Sequence, residues 1–447
     1  MSRTLKIVNL QKIVKSPNLL PFAFYLLPFT STSYLYHTML TSFFQLYKNA
    51  YSGLSRNSWY LSAVMLINRS GTMVVAFMSV YCVHQLHFSI VQAGVIMMLF
   101  GVGAIFGGFF GGKFTDKIGF YDLQVGALIS GGLLFIIFGF QHTFLSLSIG
   151  AVVLSFFNES VRPANSTAIA HYSSEENRTR SFSLNRLAVN IGWAVGGGLG
   201  GLLASINYHL LFWVDGSTNI LAAILLLILM PKAKIVKTLK KIDKTLVRKS
   251  AYRDKTYLAF ILLGTLYFIC FYEFMIMEPA FYKIDWHFNE RFIGFLLALN
   301  GILIAFIEMV LIHNLEGKKN GLIYIIIGIL IGAGTFLLIN IVPISTSAAI
   351  VVVIFITFSE MMTMPFTSSF WIARTSDNNR GEYAALYSMS WSFAQVVAPL
   401  IGGLVIARGG FTLLWWVLVG LCLISATGFL FLYRYKHMGN RAVPVLP

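Results

Sequence analysis

Residues 93–112 read AGVIMMLFGVGAIFGGFFGG, residues 113–120 read KFTDKIGF, and residues 121–140 read YDLQVGALISGGLLFIIFGF. The two long stretches carry a single charged residue between them, Asp122, whereas the short link carries Lys113, Asp116 and Lys117. A helix of about 20 residues rises about 30 Å, the thickness of a bilayer's hydrocarbon core. The charges of the link then fall at the water boundary. The stretch predicts a helix that crosses a membrane, turns within a few residues and crosses back.

The rest of the chain repeats that pattern. Of 447 residues, 57% are hydrophobic and 11% are charged, against roughly a quarter charged in a soluble protein. Apolar stretches long enough to span lie at 59–83, 93–112, 121–140, 144–168, 182–205 and 208–230. Six more lie at 257–281, 292–313, 321–341, 346–371, 382–406 and 411–433. This predicts an all-α integral membrane protein with twelve transmembrane helices. Its expected order is an N-terminal segment (1–58), a six-helix bundle (59–230), a basic linker (231–256), a second six-helix bundle (257–433) and a tail (434–447). Residues 19–47 are apolar but interrupted by Pro21, Pro28 and a Thr-Ser run at 30–33. The first segment is therefore expected to be cytoplasmic or interfacial, with Met39 as an alternative start.

The formal net charge of +16 is sorted by side. Segments alternating onto one side hold 27 Lys and Arg, while the opposite loops hold only Lys283, Arg291 and Arg408. Cytoplasmic loops are enriched in Lys and Arg, so both termini and the linker are expected in the cytoplasm, in a cell's inner membrane. A bias explained by topology gives no reason to invoke nucleic acid. Cys82, Cys270 and Cys422 lie far apart inside apolar runs, and His84 and His87 flank an external loop. No spacing suggests a metal, a cofactor or a disulfide framework. The expected partners are protons, a small-molecule substrate and the bilayer, with the chain acting as a monomer.

The two halves share a register. Pro163, Ser166-Thr167, Arg178, Leu184 and Gly200-Gly201 match Pro365, Ser368-Ser369, Arg380, Leu386 and Gly402-Gly403 at an offset of 202. Gly94 and Gly101 match Gly294 and Gly301 at an offset of 200. Two pseudo-symmetric six-helix halves are the layout in which a substrate site lies between parallel repeats. The loop Gly112-Lys-Phe-Thr-Asp116-Lys117-Ile-Gly119 resembles the loop motif of the major facilitator superfamily, with Phe120 and Tyr121 where the family usually has basic residues. The resemblance implies that Asp116 and its basic neighbours latch the cytoplasmic ends of the halves. A weaker counterpart is Leu315-Glu316-Gly317-Lys318-Lys319. In the fifth span, Gly192, Gly196, Gly200 and Gly201 belong to a glycine run that resembles the motif of the drug/proton antiporter branch, with Gly197 in place of its proline. Physically, glycines at this spacing let helices approach closely.

Charges inside the spans are the best functional clues, because an ionised group in hydrocarbon costs several kcal/mol unless it meets water or a partner. The first span holds Asn68 and Arg69. The fourth holds Glu159 and Arg162, three residues apart and so on one helical face, widened by Ser155, Asn158 and Asn165-Ser166. Two arrangements fit: a closed network pinning the spans together, or a cavity lining. The resemblance favours the cavity, since the family's first and fourth spans line its pathway. Arg186 with Asn190 at i+4 either reaches the cavity or snorkels to the interface. The second half offers Glu273, Glu278, Glu308 and Glu360. Glu360, followed by Pro365, aligns with Glu159 when one residue is inserted, and it resembles a glutamate in the tenth span of bacterial multidrug transporters. Desolvated glutamates can load and release protons near neutral pH, which makes Glu360, then Glu273 and Glu159, the candidates for proton coupling. Tyr387, Trp391 and Gln395 form one face of the eleventh span, suited either to stacking on a ligand or to helix packing. Asp215 is left without a role.

These features predict a proton-coupled secondary transporter working by alternating access, exporting small amphipathic compounds. The alternative is proton symport of a sugar, organic anion or peptide, with Arg69 and Arg162 holding an anionic group. No metalloprotease pair, no Ser-His-Asp grouping on a soluble domain and no nucleotide-binding glycine loop is present, so neither an enzyme nor an ATP-driven pump is expected.

Overall fold

The computed structural model describes residues 53–174, 177–232, 250–315, 318–374 and 380–441. The expected N-terminal segment through residue 52, the linker over 233–249, the Glu316-Gly317 pair and the chain from 442 onward lie outside these residues. So does the side chain of Asp116.

Ten helices precede the long C-terminal run. They are α1 (Arg56–Gln85), α2 (Ile90–Ile118), α3 (Phe120–Phe138), α4 (Phe144–Tyr172), α5 (Arg178–Ala204) and α6 (His209–Leu229), then α7 (Lys255–Ile284), α8 (Glu290–Leu315), α9 (Gly321–Ile341) and α10 (Thr346–Ile372). The run Arg380–Arg441 bends where Gly409 and Gly410 leave helical geometry. Its apolar part alone covers 54 residues, about 80 Å of helix and far more than one bilayer thickness. It therefore counts as two crossings, α11 (380–408) and α12 (411–441). With that division, the described residues hold twelve helices long and apolar enough to span. The last helix outruns the expected boundary at 433, so part of the expected tail is helical.

Local chemistry explains the ends. Ser89 and Gln92 form a reciprocal capping box at the start of α2, satisfying two donors that a helix otherwise leaves open. The α2–α3 turn passes through Gly119 at φ 91°, a conformation that favours glycine. This is what the final glycine of the loop motif does, while Lys117 points outward and Gly112 sits in open space.

The first span is not the continuous helix that the sequence suggested. It breaks at Gly71-Thr72 and resumes at Met73, and it ends in a π-helical turn at Tyr81–Gln85. The break exposes backbone donors in the membrane, where water cannot satisfy them. Asp215 of α6 accepts from the N–H of Met73 (3.1 Å) and of Val74 (2.8 Å). Asp215 is thus the N-cap of the second segment of α1 (Met73–Gln85), supplied from another helix. Gly71 is required at the break because a Cβ there would overlap the Thr218 hydroxyl.

Lipid tails are as apolar as leucine, so helices in a membrane associate through close packing and hydrogen bonds. Large apolar side chains accordingly face outward, Ile228 and Phe431 each at 72% exposure. Within the first half α2 packs on α4, α3 on α4 and α6, and α5 on α1; in the second, α9 packs on α10 and α12, and α7 on α11 and α12. The halves meet along α2–α11 and α5–α8, with the second segment of α1 against α7. Glycines set the α5 contacts. Gly192, Gly196 and Gly200 lie against α1, while Gly197 and Gly201 lie against Leu297 and Gly294 of α8.

Candidate functional site

A cavity of about 510 Å³ lies between the halves, within the range that holds a drug-sized molecule. Its first wall comes from α1, α4 and α5, its second from α7, α8 and α10. Gln395 of α11 and Met97 and Phe100 of α2 also contribute. It runs from Val75 and Ala76 to Asn165, Ser166 and Asn185, about two turns from the ends of α4 and α5 that join the basic loops.

On the first wall, Arg162 Nη2 lies 2.9 Å from Glu159 Oε2, with side-chain exposures of 71% and 12%. The i, i+3 spacing read from the sequence therefore produces an ion pair, and the arginine still reaches into open space. Arg69 also lines the cavity but is only 6% exposed. Gly192 makes room for it, since a Cβ there would lie 2.6 Å from Arg69 Cβ. Asn190 lines the cavity as well.

On the second wall, Glu360 Oε2 accepts a long hydrogen bond (3.5 Å) from Asn300 Nδ2, which also donates to Thr357 Oγ1 at 2.9 Å. Arg186 acts on Glu360 electrostatically, but its ion pair is with Glu308 of α8. Phe271 and Tyr272 add an aromatic surface.

The remaining candidates lie elsewhere. Asn68 donates to Asn219 Oδ1 (2.8 Å) and belongs to the α1–α6 contact beside Asp215. Trp391 stacks on Phe268 with ring centroids 4.2 Å apart, behind Phe271 and Tyr272. Tyr387 bonds the Thr367 hydroxyl at 3.1 Å. Of that aromatic face, Gln395 alone lines the cavity. Glu273 is 1% exposed, and neither carboxyl oxygen has a hydrogen-bond partner among the described residues. It fills the space that a Cβ at Gly402 would occupy.

The sequence reading passed over Asn300, Asn185, Phe271 and Tyr272. A lone asparagine inside the apolar run 292–313 was the available signal for Asn300. The aromatic pair had none, because phenylalanine and tyrosine are ordinary in a span.

The halves are sealed at the end of the bundle that carries the short, charge-poor loops. Tyr208 Oη donates to Glu290 Oε1 (2.8 Å), Lys283 Nζ lies 2.8 Å from the same oxygen, and Arg291 Nε donates to Ser205 Oγ (3.0 Å). Gly201 and Gly294 pack backbone on backbone just inside this clasp. At the opposite end, Asp254 caps α7 and binds Arg374 at 2.7 Å and Tyr383 Oη at 2.9 Å. Burial alone would raise its carboxyl pKa, but hydrogen bonds from Arg374, Tyr383 and the Tyr257 N–H outweigh that and hold it below the ordinary carboxylate range. Among the described residues no group of three His, Cys, Asp or Glu could hold a metal ion.

Comparison with known proteins follows this geometry. The sequence profile of the Major Facilitator Superfamily matches residues 61–373. A Na(+), Li(+), K(+)/H(+) antiporter of Planococcus maritimus is 24% identical over 412 residues, covering 84% of this chain and 95% of that protein. Multidrug resistance protein 1 of Bacillus subtilis is 22% identical, covering 72% and 82%. The crystal structure of the nucleoside transporter NupG superposes with a TM-score of 0.70 at 16% identity, over 85% of this chain and all of that one. An inward-facing bacterial homologue of the lysosomal transporter Spinster gives 0.68 at 14% identity, over 85% and 96%.

Proposed function

Because this chain belongs to the Major Facilitator Superfamily and is a multi-pass secondary transporter, we propose that it is a proton-coupled antiporter exporting small amphipathic compounds. The observation that carries this reading is Glu360, a cavity-lining acid whose hydrogen-bond partner is the neutral amide of Asn300. Such an acid can hold a proton or a substrate cation, but not both, and that exclusion is the basis of exchange. Relatives named as a cation/proton antiporter and a multidrug resistance protein support the reading. Glu273 is the next proton-coupling candidate, and Glu159 ranks after it because its carboxylate is paired with Arg162.

Alternating access requires that one end open while the other closes. The short-loop end is sealed by the Glu290 clasp and the Gly201–Gly294 contact, and the cavity runs toward the basic end. We place the basic end, with both termini, in the cytoplasm of a bacterial cell by its charge. The conformation is then inward-facing, and the sealed end must part for release. The chain acts as a monomer, 59–230 and 257–433 being the bundles that rock against each other, with Asp116 as a latch between their cytoplasmic ends.

The test is flux in proteoliposomes carrying a lipophilic fluorescent cation under an imposed pH gradient. Uphill cation movement against proton flow is expected from the native protein and absent from E360Q. Coupling that survives in E360Q removes the residue from the mechanism. A second reading, proton symport of an organic anion, draws on Arg69 at the cavity; it predicts that anion movement follows the proton gradient and is lost in R69A.

A further inference from the structure

We propose that the cavity is built for zwitterions: amphipathic molecules whose carboxylate seats on Arg69 while their cationic group faces Glu360 on the opposite wall. The proposal rests on the reading of this cavity as the transport site. Four ionisable groups of opposite sign line the cavity, Arg69, Glu159, Arg162 and Glu360. Glu159 and Arg162 close on each other at 2.9 Å, leaving one cation and one anion on facing walls.

Arg69 is the unusual member. It is 94% buried by its 6% exposure, yet its guanidinium makes no hydrogen bond or ion pair among the described residues. Glu159 acts on it electrostatically, but that carboxylate is already taken by Arg162. A buried guanidinium without a fixed partner costs several kcal/mol in a membrane setting. The chain nevertheless keeps it aimed at the cavity and keeps Gly192 beside it to make room. An incoming anionic group would satisfy it. One unpaired guanidinium balances a monoanion, which favours a carboxylate over a doubly charged phosphate. Asn158, Asn190 and Gln395 supply neutral donors around the charge, and Phe271 with Tyr272 supplies an aromatic surface for the apolar body.

A matched pair of fluorescent probes separates the two ends. Nα-dansyl-lysine is a zwitterion whose carboxylate and ammonium are separated by its four-methylene chain, and dansylcadaverine is the same molecule without its carboxylate. Both are titrated into the purified full chain in lipid nanodiscs at neutral pH. The zwitterion is expected to bind at least about tenfold tighter, about 1.4 kcal/mol, because its carboxylate accepts charge-assisted hydrogen bonds from Arg69. R69Q should abolish that advantage, so that the two probes bind about equally, while R69K should retain part of it. Equal affinity of the two probes for the native chain overturns the proposal, and that comparison needs no variant to fold. An advantage that persists in R69Q overturns it too. If dansylcadaverine alone binds and E360Q weakens it, the export reading stands and the zwitterion assignment fails. If neither probe binds and Nα-dansyl-Nε-acetyl-lysine, an anion, does, the export reading fails with it.

Discussion

The two halves of the chain spend their membrane-embedded acids differently. In α1–α6 each acid is engaged: Asp215 caps the broken first helix through the Met73 and Val74 amides, and Glu159 is closed on Arg162. In α7–α12, Glu273 has no hydrogen-bond partner among the described residues and Glu360 meets the amide of Asn300. The open charge of the first half is instead a cation, Arg69. Sequence repeats thus placed similar residues at similar depths, and pairing closed the embedded acids of the first half, whereas in the second half Glu308 is closed on Arg186 and Glu273 and Glu360 have no ion pair among the described residues.

The largest effect that can break this contrast is functional. Neutralising the open acid in E360Q should lower proton-driven flux by about a hundredfold, the scale on which a positioned proton-transfer group acts. Neutralising the closed one in E159Q should leave proton coupling in place while loosening Arg162. Parallel flux assays with pH-gradient and no-gradient controls read both. Equal loss of coupling in the two variants would show that closure by Arg162 does not decide which acid exchanges.

Stability sharpens the same contrast. D215A leaves two backbone donors without partners in a membrane interior, and each costs about 1–3 kcal/mol. A clear drop in the apparent unfolding midpoint in detergent is expected. E273Q replaces a buried carboxyl that has no hydrogen-bond partner among the described residues, so its midpoint should stay level or rise. G402A tests the same pocket from the other side, because its Cβ would overlap the Glu273 carboxyl. It should destabilise by about 1–3 kcal/mol as an overpacked site does, and the double variant G402A/E273A should recover most of that loss. Full additivity of the two changes would mean that Glu273 does not lean on α11.

How much of this was legible depends on which physical rule acts alone. Span positions follow from one rule, the need for about 20 apolar residues, and α9 falls at 321–341 as expected, with other limits shifted by a few residues. The cavity residues Arg69, Glu159, Arg162 and Glu360 were also visible, because charge in hydrocarbon needs a reason. What could not be read was pairing. Asp215 lies 142 residues from the amide it caps, and no periodicity links them. The polar run Asn68-Arg69-Ser70-Gly71-Thr72 reads equally well as a cavity patch or a helix break, and the structure uses it as both. Trp391 was drawn toward the ligand side by its spacing with Gln395, yet Phe268 takes its face. Helical spacing tells which residues share a stripe but not which neighbour the stripe meets.

The smallest expected effect asks whether engagement of acids follows the half of the chain or the depth in the membrane. Asp254 belongs to the second half but lies outside its span, and it is fully engaged by Arg374, Tyr383 and the Tyr257 N–H. If depth decides, this acid should behave as Asp215 does and contribute stability. Its folded pKa lies below that of the unfolded chain, near 3.9, so its contribution is complete above about pH 5 and is lost as the pH falls through the folded value. R374A should therefore cost about 1–2 kcal/mol at neutral pH, the scale of a charge-assisted hydrogen bond that partial exposure screens. The gap between native and R374A midpoints should be constant from pH 7 to about pH 5, narrow below that, and close as the pH falls through the folded value. A gap that persists in acid would place the contribution of Arg374 in the contact of its guanidinium with the Phe370 ring, and would leave Asp254 as a second-half acid that is paired without being needed.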